Sequence, residues 1–237
     1  SVITGGDQEI DAAEGIRTSL RMGDSSLIVG EVRSTEALAL YEAMRVGALA
    51  NVVAGTIHGD SPYGVFDRVV NDLKVPPTSF KATDIIVVCN PVKSAAGLKS
   101  QRRVVQITEV RKNWQEDPMK ENGFVDLMVY NPKTDQLEPT DALIQGESEI
   151  LKSIASRVRT WSGDFNAIWQ SIELRAKVTQ TIIDTSVKEK KPALLESDFV
   201  VAANDELHKI MEDLGDDTKM IYSEWLAWFK QKVVSVE

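Results

Sequence analysis

An acid, a histidine and a set of arginines in the first third of the chain have the chemistry of phosphoryl transfer. They are Glu31, His58, Arg17, Arg21, Arg33, Arg45 and Arg68. An acid orients or deprotonates water or holds Mg²⁺, and cations take up charge as a phosphoryl group moves. Glu31 stands out by its place. It follows "SSLIVG", in which Leu27, Ile28 and Val29 read as the end of a buried strand. An unpaired carboxylate drawn into an apolar interior costs several kcal/mol or shifts its pKa. His58 ends a second apolar run, "NVVAGTIH". Ligands of α/β sheets gather beyond the carboxyl ends of the strands, so both residues stand at the edge where a site would form. Each also has a plain structural explanation. Acids at strand ends are common, a lone histidine is more often a hydrogen-bonded structural residue, and Arg17 with Arg21 suits a solvated helix face. Spacing alone leaves the function open.

Capping and periodicity give the elements that must carry these residues. Asp11-Ala-Ala-Glu14 is a capping box for a helix with Ile16 and Leu20 on one face, Arg17 and Arg21 on the neighbouring one, and Gly23 at its end. A strand at 27–30, a helix over about 35–45 stopped by Gly47, and a strand in "NVVAGTIH" make a βαβ unit. Its two strands are either neighbours or one strand apart. Ser61 caps, and Pro62 opens, a helix reaching about Leu73. "DIIVVC" and "RRVVQITEV" are β-branched strand runs, and "FVDLMVYNPKTDQLEPT" is a strand followed by a turn at 131–134. Alternating strands and helices imply an α/β fold, a sheet with helices on its faces. From Gly146 the pattern is helical over about 147–159, 164–187, 197–214 and 217–234, with breaks at Gly163, Pro192 and Gly215. The expected domains are an α/β part, 1–145, and an all-α part, 146–237. "KEKK" at 188–191 reads as a solvated helix end.

Composition narrows the function classes. The 237 residues suffice for one large domain or two small ones. A net charge of −9 argues against a general binder of phosphate backbones. The single cysteine, Cys89, excludes an intrachain disulfide and fits a reducing compartment; with only His58 and His208 beside it, little is left for a zinc site. No apolar run approaches the roughly 20 residues that span a bilayer, and no signal-peptide pattern opens the sequence. A start at Ser1 in a glycine-rich stretch is expected of a processed chain or a piece of a longer one.

The ordered run "RTSLRMGDSSLIVGEVRSTEALALYEAMRVGALANVVAGTIHGDSPYGVFDRVV" resembles the type II/type IV secretion ATPase superfamily. These are the hexameric motors of pilus assembly and retraction, type II secretion, conjugation and archaeal flagella. "LIVGEVRSTEA" is similar to the family's atypical Walker B box, "AMRVGALANVVAGTIHGDSP" to the segment ending in its His box, and "RTSLR" to its arginine-bearing helix. The match spans about residues 9–70. "RRVVQITEV" followed by "VYNPKTDQLEP" is most like the archaeal branch. Alanines at "VGALA" depart mildly from the family's bulkier pattern.

The resemblance implies a RecA-like P-loop NTPase core, represented by its C-terminal part and followed by an all-α region, with ATP and Mg²⁺ as cofactors. Glu31 would polarise the attacking water or hold Mg²⁺ through one. His58 would sense the γ-phosphate or link neighbouring subunits, and Arg17 and Arg21 would be arginine fingers. Arg68, with valine where the family has leucine, and Arg33 would be nucleotide-binding cations. The implied setting is a cytoplasmic homo-hexamer at the inner face of the membrane, acting on a membrane platform protein of a secretion or pilus system, with no direct nucleic-acid contact. Two alternatives stay open. One is a non-catalytic assembly or docking module in which Glu31 and His58 are idle; the other is a conjugation-type motor moving DNA, which the acidic balance disfavours.

One expected motif is missing. No G-x-x-x-x-G-K-[ST] run occurs, although its backbone N–H groups and lysine cradle the phosphates in this family. In "GLKS", Gly97–Ser100, leucine separates Gly97 from Lys99 and no helix follows a strand. The family's acidic Asp box would likewise fall before Ser1. The expectation is therefore the C-terminal part of a motor, entered after its phosphate-binding loop and inactive alone.

Overall fold

Short β-branched runs and capped helices sort the chain into two units, Ser1–Ser148 and Glu149–Glu237. The structure, a computed structural model, describes residues 12–21, 26–46, 52–93, 97–98 and 100–236. The expected Asp11 cap and the stops at Gly23 and Gly47 lie outside the described residues.

In the first unit, helix α1 (Ala12–Arg21) packs on α2 (Glu36–Val46), burying Ala13 and Ile16 against Ala37 and Leu40. Strands β1 (Leu27–Val29) and β2 (Val53–Gly55) flank α2 in sequence and pair directly, in parallel, with Leu27 opposite Val53 and Val29 opposite Gly55. The βαβ unit thus has adjacent strands. Helix α3 (Pro62–Asp67) begins as expected: the Ser61 hydroxyl accepts from the Gly64 amide at 3.1 Å and Pro62 fills the first turn. It runs on into a π-helical turn, Arg68–Asp72, that ends at Leu73. Gly59 lets the chain pass beneath this helix, since a Cβ there would lie 2.8 Å from Val65 Cγ2.

After the short helix α4 (Pro77–Phe80) come β3 (Ile85–Lys93), β4 (Ser100–Val110), β5 (Phe124–Asn131) and β6 (Gln136–Pro139). Periodicity runs all the strands into one sheet. Those described form two, the parallel pair and an antiparallel meander in the order β3-β4-β5-β6. The reason is in the connections: among the described residues no helix lies between β3 and β6, and parallel pairing needs a crossover, usually a helix. Ser100 opens β4, so a strand rather than a helix follows "GLK". The turn after β5 is set by Asn131, whose side chain accepts from the Lys133 amide at 3.0 Å. The expected mixed α/β class holds for this unit.

Aromatic rings centre its core. Phe66 meets Phe80 at 5.1 Å and Trp114 at 5.6 Å, both edge-on. Trp114 is fully buried and spends its indole N–H on the Arg111 carbonyl. Glu109, 1% exposed, is held by Arg111 Nε at 3.2 Å and the Ser148 hydroxyl at 2.5 Å.

The second unit contains α6 (Glu149–Arg157), α7 (Phe165–Glu189), α8 (Ser197–Leu214) and α9 (Thr218–Val234); α5 (Asp141–Ile144) precedes it in the first. Asp164 and Asp217 cap α7 and α9, and Leu174, Val178, Leu207, Ile221 and Trp225 form the shared core. The "KEKK" run is only partly a solvated end. Lys188 is exposed, but Lys191 turns inward and donates to the carbonyls of Val233, at 2.9 Å, and Val236. A cation at a helix C-terminus satisfies otherwise orphaned carbonyls; here the helix is α9 rather than α7. Among the described residues, no helix is long and apolar enough to cross a membrane.

Candidate active site

Strand register decides which polar groups meet. Because β1 and β2 are neighbours and parallel, the chain leaves both at the same edge, and Glu31 and His58 emerge side by side. One Glu31 carboxylate oxygen lies 3.2 Å from His58 Nε2. The other lies 3.1 Å from Arg33 Nε. Val32, between Glu31 and Arg33, is buried in the core, so alternation along the extended segment turns its two neighbours outward. Gly55 allows this approach, for a Cβ there would sit 3.2 Å from Val32 Cγ2. The cluster is accessible: the Glu31 side chain is 32% exposed and that of His58 82%.

Glu31 and Arg33 also border a cleft of about 510 Å³ between α1 and β1, whose other wall includes Gly15, Ile16 and Ser19. The carboxylate thus lies at the rim of an open cleft, with a guanidinium and an imidazole already in contact.

The loop beyond Glu31 is closed by the first residue of α2. Glu36 accepts from the backbone amides of Arg33, at 2.7 Å, and Ser34, at 2.9 Å, and from the Ser34 hydroxyl at 2.6 Å. These bonds, the Ser34 hydroxyl foremost and then the Arg33 amide, pull its pKa from an ordinary 4.5 to about 2 against the opposing effect of burial. On the other side, the Thr56 hydroxyl donates to the Gly30 carbonyl at 2.5 Å, and the Val32 amide donates to the Thr56 carbonyl at 2.8 Å. Neither Glu36 nor Thr56 is among the candidates drawn from the sequence. The only available signal was Ser34-Thr35-Glu36 at a helix start, which marks a cap.

A depressed carboxylate pKa stabilises the fold above the unfolded-state value and loses that contribution as pH falls through the folded value. Replacing Glu36 by Gln should therefore lower the urea midpoint most above pH 4.5, with the gap from the parent chain closing as pH approaches 2. A gap of equal size at pH 6 and pH 2.5 would mean that the charge of Glu36 is not what holds the loop.

The remaining arginines lie elsewhere. Arg17 is 3.9 Å from Glu42 on α2, with both side chains more than half exposed. Arg21 ends α1, and its side chain is outside the described residues. Arg45 donates to the Ser79 hydroxyl at 3.1 Å. Arg68 begins the π-helical turn, and its buried Nε has no hydrogen-bond partner among the described residues. π-Turns of this kind recur at functional sites.

Comparison with known proteins extends these observations. A family model described as type II/IV secretion system protein matches residues 2–135, more than half of the chain and all of the Glu31–His58 region. An uncharacterized protein of Methanocaldococcus jannaschii is 31% identical over 153 residues, 64% of this chain and 52% of the relative. A second uncharacterized protein of that organism is 27% identical over 171 residues, covering 71% of this chain and 29% of the relative. The chain thus spans about half the length of the first relative and under a third of the second.

Proposed function

The chain belongs to the type II/IV secretion system protein family, and from that premise we propose that it carries the water-activating part of an ATPase site in a secretion or pilus motor. The observation that carries the reading is Glu31 itself. It is an accessible carboxylate at the ends of paired parallel strands, 3.2 Å from His58 and 3.1 Å from Arg33, inside the family-matched region.

In this reading residues 1–145 are the C-terminal part of a RecA-like core and 146–237 a helical domain. Glu31 aligns the attacking water and accepts its proton, which an anionic carboxylate within hydrogen-bond reach can do. His58 fixes one carboxylate oxygen and, from its exposed position, responds to the γ-phosphate. Arg33 and Arg68 hold nucleotide phosphates. Arg17 and Arg21, on α1, serve as arginine fingers toward the charge that develops in transfer.

Mg²⁺, when bound with the nucleotide, neutralises phosphate charge. It keeps several waters and asks only one or two carboxylates of a protein. Glu31, one-third exposed at the rim of the cleft, fits that demand through a water. Among the described residues no group of three or more His, Cys, Asp or Glu side chains offers an all-protein cage instead. The motor assembles as a homo-hexamer on the inner face of the membrane, where subunit motion driven by hydrolysis works a membrane platform protein.

Phosphate release tests this. The 237-residue chain holds no G-x-x-x-x-G-K-[ST] loop, and that loop supplies most contacts to the triphosphate. The chain alone should show background rates, whereas the intact protein in which such a loop joins it should show Mg²⁺-dependent turnover. Turnover by the chain alone that vanishes in Glu31→Gln would mean that the phosphate-binding elements lie within these residues.

A further inference from the structure

The segment that presents Glu31 is tied down on both sides, and nearly every residue flanking the acid takes part. Upstream, the Thr56 amide donates to the Val29 carbonyl at 3.3 Å and its hydroxyl to the Gly30 carbonyl at 2.5 Å. The Val32 amide returns a bond to the Thr56 carbonyl at 2.8 Å. Downstream, Glu36 gathers the Arg33 and Ser34 amides with one oxygen and the Ser34 hydroxyl with the other. Glu31 is left between these anchors with its side chain free to face His58 and Arg33.

We propose that Thr56 and Glu36 are positioning residues, holding the 29–34 segment from the two sides so that the Glu31 carboxylate meets His58 Nε2 and Arg33 Nε. Three observations favour positioning over plain stabilisation. The Thr56 hydroxyl lies at an exposed site where water would satisfy it equally well, so its bond to Gly30 adds little to folding. Thr56 lies one residue after β2 and two before His58, so one residue sets the register of both halves of the cluster. Glu36 binds the backbone of Arg33, the residue whose guanidinium touches Glu31, and thereby fixes the cation as well as the acid. A side chain held by such a surrounding shell keeps its geometry, and a displacement of about 1 Å can cost as much as 10²-fold in rate.

That Glu31 and His58 act on a nucleotide rests on the function proposed above; the contact that Thr56 and Glu36 secure does not. The decisive experiment therefore uses the 237-residue chain without nucleotide, with His58 ring ¹⁵N and ¹³C resonances as the readout. Glu31→Gln should move these resonances in the parent chain. In Thr56→Val and in Glu36→Ala backgrounds the same substitution should move them at least about threefold less, a coupling that a mutant cycle isolates from direct effects. In Thr56→Ser, which keeps the hydroxyl, the full displacement should return. An undiminished displacement in either Thr56→Val or Glu36→Ala overturns the proposal. So does the absence of any effect of Glu31→Gln in the parent, because there is then no contact to secure. If Thr56→Val does not fold, Glu36→Ala at the exposed helix start carries the test.

In the intact protein, Thr56→Val should lower kcat by about 10-fold or more with little change in KM, and Thr56→Ser should restore it. If the resonance cycle holds while Glu31→Gln leaves turnover unchanged, the proposed function fails and the positioning stands.

Discussion

Arg17→Ala is expected to lower ATP turnover of the intact protein by roughly 10³-fold or more while changing nucleotide affinity little, because a finger arginine acts on transition-state charge. The geometry suits such a residue. The Arg17 side chain is 55% exposed, and its ion pair with Glu42 spans 3.9 Å between two solvated groups. A surface pair of this kind contributes about 0–1 kcal/mol, so the guanidinium can leave Glu42 for a stronger developing charge at small cost. For the same reason truncation should hardly alter the stability of the chain, which separates a catalytic loss from a folding loss. Arg21, one turn further along α1, should respond in the same direction. Phosphate release and titration with a fluorescent ATP analogue, run on one preparation of each variant, supply both numbers. Near-normal turnover in both variants would return the two arginines to a solvated helix face.

How far the sequence shows this architecture depends on the range of the forces that set each part. Local signals read well. Ser61 and Pro62 start α3, Asn131 makes its turn, and α7, α8 and α9 lie within two residues of the periodic helices expected for them. These features depend on capping chemistry and on apolar spacing within one element. Strand partnership does not. Whether β1 and β2 are neighbours, and whether β3 to β6 join them in one sheet, depends on pairings between distant segments that no short window encodes.

The candidate site divides in the same way. Glu31 and His58 stand out by type and place, whereas their 3.2 Å contact follows from the parallel register. Thr56 and Glu36 were invisible as contributors. Thr56 looks like an ordinary β-branched residue and Glu36 like an ordinary helix-start acid until hydrogen bonds tie both to the segment around Glu31. Lys191 shows the converse: a charge run suggests solvent, but the fold brings the end of α9 within its reach.

The central claim is that the charge of Glu31 serves a reaction rather than the fold, and the chain supplies its own contrast. Glu109 is an architectural acid, 1% exposed, paired with Arg111 and bonded to Ser148. Removing one member of a buried pair of that kind typically costs about 3–5 kcal/mol. Glu31 has an ion pair too, but at 32% exposure with a partner 70% exposed, so its loss should cost at most about 1 kcal/mol. Gln keeps the shape of the side chain and removes the charge that water activation needs. The most direct measurement is phosphate release by the intact protein and its Glu31→Gln variant after bound ATP has been quantified in each sample. The expected result is equal occupancy with hydrolysis slower by at least about 10²-fold in the variant. Equal rates at equal occupancy would contradict the claim and leave Glu31 without a catalytic role.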